Sequence, residues 1–147
     1  MNGKWKMENG KFLPGFTLIE LLVTIAIIGI LSSVLLVNLS GFRERTRDVQ
    51  RKRDLRTLQT GLELYRADSS SYPESIPSCG SDFKNLDNTI TYLKKIPCDP
   101  LTKANYNYSV NLNVYTLFAC LENETDAEKD SSGQPGCDNA SFTVVSP

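Results

Sequence analysis

The chain reads as an α+β protein: a long N-terminal α-helix, apolar all round and then amphipathic, packed on a small antiparallel β-sheet head. Three observations predict this. From Phe16 to Leu39 the only ionisable side chain is Glu20, and Leu, Ile and Val fill most other positions. Leu55, Leu58, Leu62 and Tyr65 then recur at spacings of three and four residues, which places them on one face of a helix. Beyond Pro73, Tyr106, Tyr108 and Val110 alternate with polar residues, and two more β-rich runs follow. Four parts result: a leader at 1–15, a transmembrane helix at 16–39, its amphipathic continuation at 40–71 and a globular head at 72–147.

The leader carries Lys4, Lys6 and Lys11 against Glu8 and ends in Pro14-Gly15. The apolar run that follows is about 24 residues long, against the ~20 that a helix needs to cross hydrocarbon. It is apolar around its circumference, which points to lipid or complete burial. A chain of 147 residues could hardly surround such a helix. A cleaved secretory signal is ordered differently, with a shorter apolar region and a small-x-small site after it. The nearest such site, Thr24-Ile25-Ala26, lies inside the run, and the first cysteine, Cys79, is too distant for a lipoprotein signal. Any cut therefore falls after Gly15 and leaves the apolar helix in the mature protein.

Glu20 is the exception within the run. A carboxylate at the centre of a membrane helix costs about 2.5–3.5 kcal/mol and usually has a partner. Near the helix start the cost is smaller, and the helix dipole favours the negative charge. A cut after Gly15 would create a cation, the Phe16 α-amino group, one turn away or beside Glu20 of a neighbouring chain.

The segment Lys11-Phe12-Leu13-Pro14-Gly15-Phe16-Thr17-Leu18-Ile19-Glu20-Leu21-Leu22 resembles the class III leader and helix start of type IV pilins and type II secretion pseudopilins. The resemblance implies a type IV pilin-like fold. It implies that a prepilin peptidase cuts between Gly15 and Phe16 and methylates the Phe16 amine, and that Glu20 pairs with the Phe16 amine of an adjacent subunit during assembly. It further implies a single-pass inner-membrane protein that an assembly platform draws into a periplasmic or surface filament. Orientation also follows from it. Arg43, Arg45, Arg47, Arg51, Lys52, Arg53 and Arg56 outnumber Glu44, Asp48 and Asp54, and the positive-inside rule alone would place that stretch in the cytoplasm.

The amphipathic continuation presents these charges opposite its leucines, as a solvated face or as charge pairs between subunits. Glu44 and Asp48 lie one turn apart, as do Asp48 and Lys52. The basic run lacks aromatic residues and is mixed with acids, so direct DNA binding is not expected. Ser69-Ser70-Ser71-Tyr72-Pro73 should end the helix within residues 68–71. A bend, if there is one, is expected at Gly29 or Ser40-Gly41.

The head begins as connecting loop, with a short helix predicted over Phe83 to Leu93. A hairpin follows across Asn111-Leu112-Asn113, joining the tyrosine-rich strand to Val114–Cys120, and Ser141–Val145 supplies a third strand. The inner face of this sheet should lie on Leu55, Leu58, Leu62 and Tyr65. The stretch from Leu93 to Pro100 and the tyrosine-rich strand also resemble the major pseudopilins. Cys79, Cys98, Cys120 and Cys137 fit two disulfides, with three connectivities open. Nearest-neighbour pairing would close two loops of modest length, each worth about 3 kcal/mol in the chain-entropy model. Zinc is a poor reading without histidine or a C-x-x-C pair. The loop Glu122 to Asp138 is acidic, and type II pseudopilins carry calcium in a comparable loop. Glu122, Asp126, Asp130 and Asp138 are thus a candidate calcium set, although oxygen-rich loops are more often merely solvated.

No catalytic residues are expected. The chain has no histidine, so a serine or cysteine nucleophile would lack its usual base, and no other cofactor is indicated. The expected function is a structural subunit of a type IV pilus or a type II secretion pseudopilus, polymerised through its N-terminal helix. The alternatives are an uncleaved, signal-anchored envelope protein whose head binds a partner, and a DNA-uptake pilin.

Overall fold

The computed structural model describes residues 15–36, 39–138 and 140–147. The chain divides into two units, Met1–Leu39 and Ser40–Pro147. The leader up to Pro14, and the join at Val37 and Asn38 across which one unbroken helix is predicted, lie outside the described residues.

In the first unit, helix α1 spans Leu18–Leu36, 19 residues. Its side chains from Leu18 to Leu31 meet no core, and Leu18 is 88% exposed. α1 continues through Gly29. A Cβ there would meet nothing within 4 Å, so no packing among the described residues demands glycine. Among the described residues no helix is long and apolar enough to cross a membrane. At 1.5 Å per residue α1 covers about 28 Å, just under the ~30 Å of a hydrocarbon core, and the predicted span of 16–39 runs on past its end.

The second unit is built on helix α2, Leu39–Ser69. It remains helical through Ser40-Gly41 and ends where Ser70 enters the left-handed region at φ 62° and donates its N–H to the Arg66 carbonyl at 2.8 Å. Leu55, Leu58, Leu62 and Tyr65 are buried, as their spacing predicts. They lie under an antiparallel sheet that follows a short hairpin of β1 (Phe83–Lys84) and β2 (Thr91–Leu93), and in it β4 (Val114–Cys120) is central between β3 (Asn107–Asn111) and β5 (Ser141–Val145). Tyr115, Leu117 and Ala119 of β4 point into the core at the two-residue period of a half-buried strand. Tyr72, Phe83, Ile96 and Tyr106 close the core around them.

Asn111 pairs with Val114, so Leu112 and Asn113 form a two-residue hairpin turn with φ of 48° and 61°. Both residues then need the left-handed region, the geometry that matches strand twist. Asn tolerates it and Leu does not readily. The Asn113 side chain anchors the turn by accepting the Tyr72 N–H at 3.1 Å.

The predicted helix over Phe83 to Leu93 is absent. A small hairpin stands there instead, β1 (Phe83–Lys84) paired with β2 (Thr91–Leu93). Phe83, Leu86, Ile90 and Leu93 mimic a helical spacing, yet Leu86 is 88% exposed, so no such face is buried. Asn85 decides the outcome. Its Oδ1 accepts the N–H groups of Thr89 and Ile90 at 2.9 and 3.0 Å, and Asn88 sits at φ 57°. A side chain that satisfies backbone donors locally competes with a helix. The hairpin packs on α2 at Gly61, where an added Cβ would come within 2.7 Å of Leu93 Cδ1.

Candidate functional site

The N-terminal segment comes first. Thr17 caps α1: its N–H and hydroxyl donate to Glu20 Oε2 at 3.0 and 2.9 Å, and the Glu20 N–H donates to Thr17 Oγ1 at 3.3 Å. Thr17 and Glu20 are thus the N-cap and the third helical residue of a capping box, in which each satisfies a free donor of the other. Phe16 is 78% exposed and lines a shallow hollow with Ile19, Glu20, Val23 and Thr24. A Cβ on Gly15 would meet nothing within 4 Å. Among the described residues, then, no contact requires glycine before an exposed phenylalanine.

On the head, the charged face of α2 is not simply solvated. Asp48 is 0%, Arg51 3% and Lys52 8% exposed. Asp48 accepts the N–H groups of Glu122 and Asn123 at 3.0 and 2.8 Å and binds Arg51 Nη1 at 2.7 Å. Arg51 reaches on to Asp99 (Nε, 2.6 Å) and to Glu122 (Nη1, 2.6 Å), and Arg47 forks onto the same Glu122 carboxylate. One turn further along, Lys52 Nζ donates to Asp126 at 2.9 Å and to Glu128 at 2.7 Å. The helix thereby straps down both the Asp99 turn and the acidic loop. The expectation of charge pairing between subunits is corrected for these residues: they pair within the chain. The i, i+3 relation of Asp48 to Arg51 was readable, but their burial depends on a loop more than 70 residues away in sequence.

Cys79 pairs with Cys98 and Cys120 with Cys137, each with Cα atoms 5.1 Å apart. The second bond closes the acidic loop beside β4.

The candidate calcium carboxylates do not converge. Glu122 is held by Arg47 and Arg51, and Asp126 by Lys52. Asp130 accepts the hydroxyls of Ser141 and Thr143 at 2.5 and 2.6 Å, and Asp138 is exposed. Among the described residues no group of three or more His, Cys, Asp or Glu side chains could hold a metal ion. Calcium takes 6–8 oxygens, and this donor set does not fit it.

The strap makes the head acid-sensitive. Burial pushes the Asp99 carboxyl up, but Arg51 and the N–H groups of Thr102 and Leu101 outweigh it and hold it at about 2. Hydrogen bonding to Arg47 lowers Glu122. In Asp126 burial acts upward and is outweighed by the Glu128 N–H and Lys52, and Lys52 also lowers Glu128. Carboxyls depressed on folding stabilise the fold above their unfolded values and lose that contribution as pH falls through the folded ones. Asp99 alone should be worth about 1–2 kcal/mol after allowance for solvent screening. Circular dichroism is therefore expected to show the head loosening between about pH 4 and pH 2, with an earlier onset in high salt.

Residues 15–36 match the family model described as the prokaryotic N-terminal methylation motif. The chain is similar to the type II secretion system core protein G of Vibrio cholerae serotype O1, 31% identical over 125 residues that cover 77% of this chain and 85% of that protein. It is 34% identical to the core protein G of Klebsiella pneumoniae over 58% of this chain and 67% of the other. With that of Escherichia coli K12 it shares 31% identity over 58% of this chain and 65% of that protein, just under two thirds of the latter's length. No solved structure matches the chain significantly.

Proposed function

Because the chain belongs to the type II secretion system core protein G family, we propose that it is a pseudopilin, a structural subunit that polymerises through its N-terminal helix into a secretion pseudopilus. The match of residues 15–36 to the N-terminal methylation motif carries this reading. A prepilin peptidase removes residues 1–15 and methylates the new Phe16 amine. The exposed Gly15-Phe16 junction, which serves no packing among the described residues, suits an enzyme's reading of it. Residues 16–39 hold the subunit in the inner membrane until the assembly platform extracts it. The chain is then a substrate of an enzyme and a building block for copies of itself and for related pseudopilins in the cell envelope. The relatives' shared name favours secretion over a surface pilus or a DNA-uptake filament.

The mature protein is expected to begin at N-methylated Phe16. Intact-mass and N-terminal peptide analysis decide this, and a protein that retains Met1 in cells with an active prepilin peptidase would refute it.

A further inference from the structure

We infer that the Lys52 ammonium is the structural cation of the acidic loop, so that the head holds this loop without calcium. The inference concerns the unassembled subunit and is independent of polymerisation.

Lys52 Nζ lies 2.9 Å from both oxygens of Asp126 and 2.7 Å from Glu128 Oε2. It also lies 6.0 Å from the centre of the Phe142 ring of β5. One compact charge therefore ties α2, the loop and the sheet together. An ammonium is suited to this, since its three rotatable donors can gather several carboxylates as a metal does, whereas a guanidinium is a flat fork. The local charges also balance. Arg56 meets Glu128 at 3.3 Å, so two basic groups face the Asp126 and Glu128 carboxylates. A calcium ion drawn to these oxygens would sit within a few ångströms of a buried ammonium, and like charges so placed disfavour one another.

The start and the middle of the loop are secured by protein groups as well. Asp48 accepts the N–H groups of Glu122 and Asn123 at its start. Asp130, midway along it, accepts the Ser141 hydroxyl together with the Thr143 hydroxyl and N–H. The Cys120–Cys137 bond encloses the whole. Among the described residues no buried side-chain nitrogen or oxygen lacks a partner that an ion would have to supply.

The test uses the full chain in detergent micelles. Thermal melting is followed by circular dichroism in EGTA and in calcium at about 10 mM, roughly tenfold above the weakest extracellular calcium modules. A metal bound to the folded state raises Tm by mass action. The expected result is the same Tm in both, and a calcium-dependent rise would overturn the inference. In the second arm, a Glu-specific protease probes the loop. Lys52→Met is expected to speed cutting at Glu122, Glu124 or Glu128 by about tenfold through local opening. Asp126→Asn, a change on the loop itself, should show the same trend and keeps the arm decisive if Lys52→Met fails to fold. Cutting of Asp126→Asn at the wild-type rate, or protection of the wild-type loop by calcium, would refute the role of Lys52.

Discussion

Glu20→Ala is expected to leave leader removal intact and to abolish incorporation into filaments. Two effects act in the same direction. The unassembled subunit becomes more comfortable in lipid, because an isolated carboxylate near a membrane helix carries a cost that Ala does not. The polymer would meanwhile lose the proposed charge-assisted pair with the Phe16 amine of a neighbour, worth about 1.5–3 kcal/mol. A loss of about 2 kcal/mol per subunit is roughly a thirtyfold rise in the concentration needed to polymerise. Immunoblotting for mature subunit, with electron microscopy of sheared filaments, measures both halves of the prediction. Normal filaments from Glu20→Ala would rule out the pairing.

The capping box at Thr17 and Glu20 offers a competing explanation that two further variants separate. Glu20→Gln keeps the box, since Gln serves at the third helical position as Glu does, but it carries no charge. Thr17→Val removes the hydroxyl that bonds Glu20 and keeps the carboxylate. If the charge is what matters, Glu20→Gln fails to assemble and Thr17→Val assembles at a stability cost of about 1 kcal/mol. If the cap is what matters, the two results exchange places.

The elements whose legibility was greatest are those set by local periodicity. The buried stripe Leu55, Leu58, Leu62 and Tyr65, the alternation along β4 and the end of α2 before Pro73 all depend on residues within a few turns of one another. The hairpin β1–β2 was not legible, because the side-chain bonds of Asn85 outweigh an apolar spacing that looks helical. Most of the strap escaped for a different reason. An arginine- and lysine-rich helix face is ordinarily solvated, and only the fold brings Asp99, Glu122 and Asp126 onto it. One signal was available: Glu122, Glu124, Asp126, Glu128 and Asp130 fall in a single disulfide-bounded loop, and basic residues cluster in one stretch of helix. Complementary blocks of that kind are candidates for each other.

Asp48→Ala is the substitution expected to damage the head most. Asp48 is fully buried, and its two oxygens serve one guanidinium and two backbone donors. Without it the N–H groups of Glu122 and Asn123 lose their acceptor, and a buried donor left unsatisfied costs about 1–3 kcal/mol. Breaking a buried ion pair by removing one partner costs about 3–5 kcal/mol when the other is left alone. Arg51 is not left alone, because Asp99 and Glu122 still hold it, so the lower end of that range applies. A total of about 3 kcal/mol is a large part of a small domain's stability. Asp48→Asn should fall between Asp48→Ala and wild type, since its amide oxygen can keep one backbone donor while its NH2 group faces the other. Arg56→Ala serves as the control. Its pair with Glu128 is exposed on both sides at 62% and 54%, and surface pairs of that kind contribute little. Chemical unfolding of the three variants should therefore rank them Asp48→Ala, Asp48→Asn and Arg56→Ala in order of loss. Equal losses for Asp48→Ala and Arg56→Ala would mean that the buried end of the strap contributes no more to the head than its solvent-exposed end.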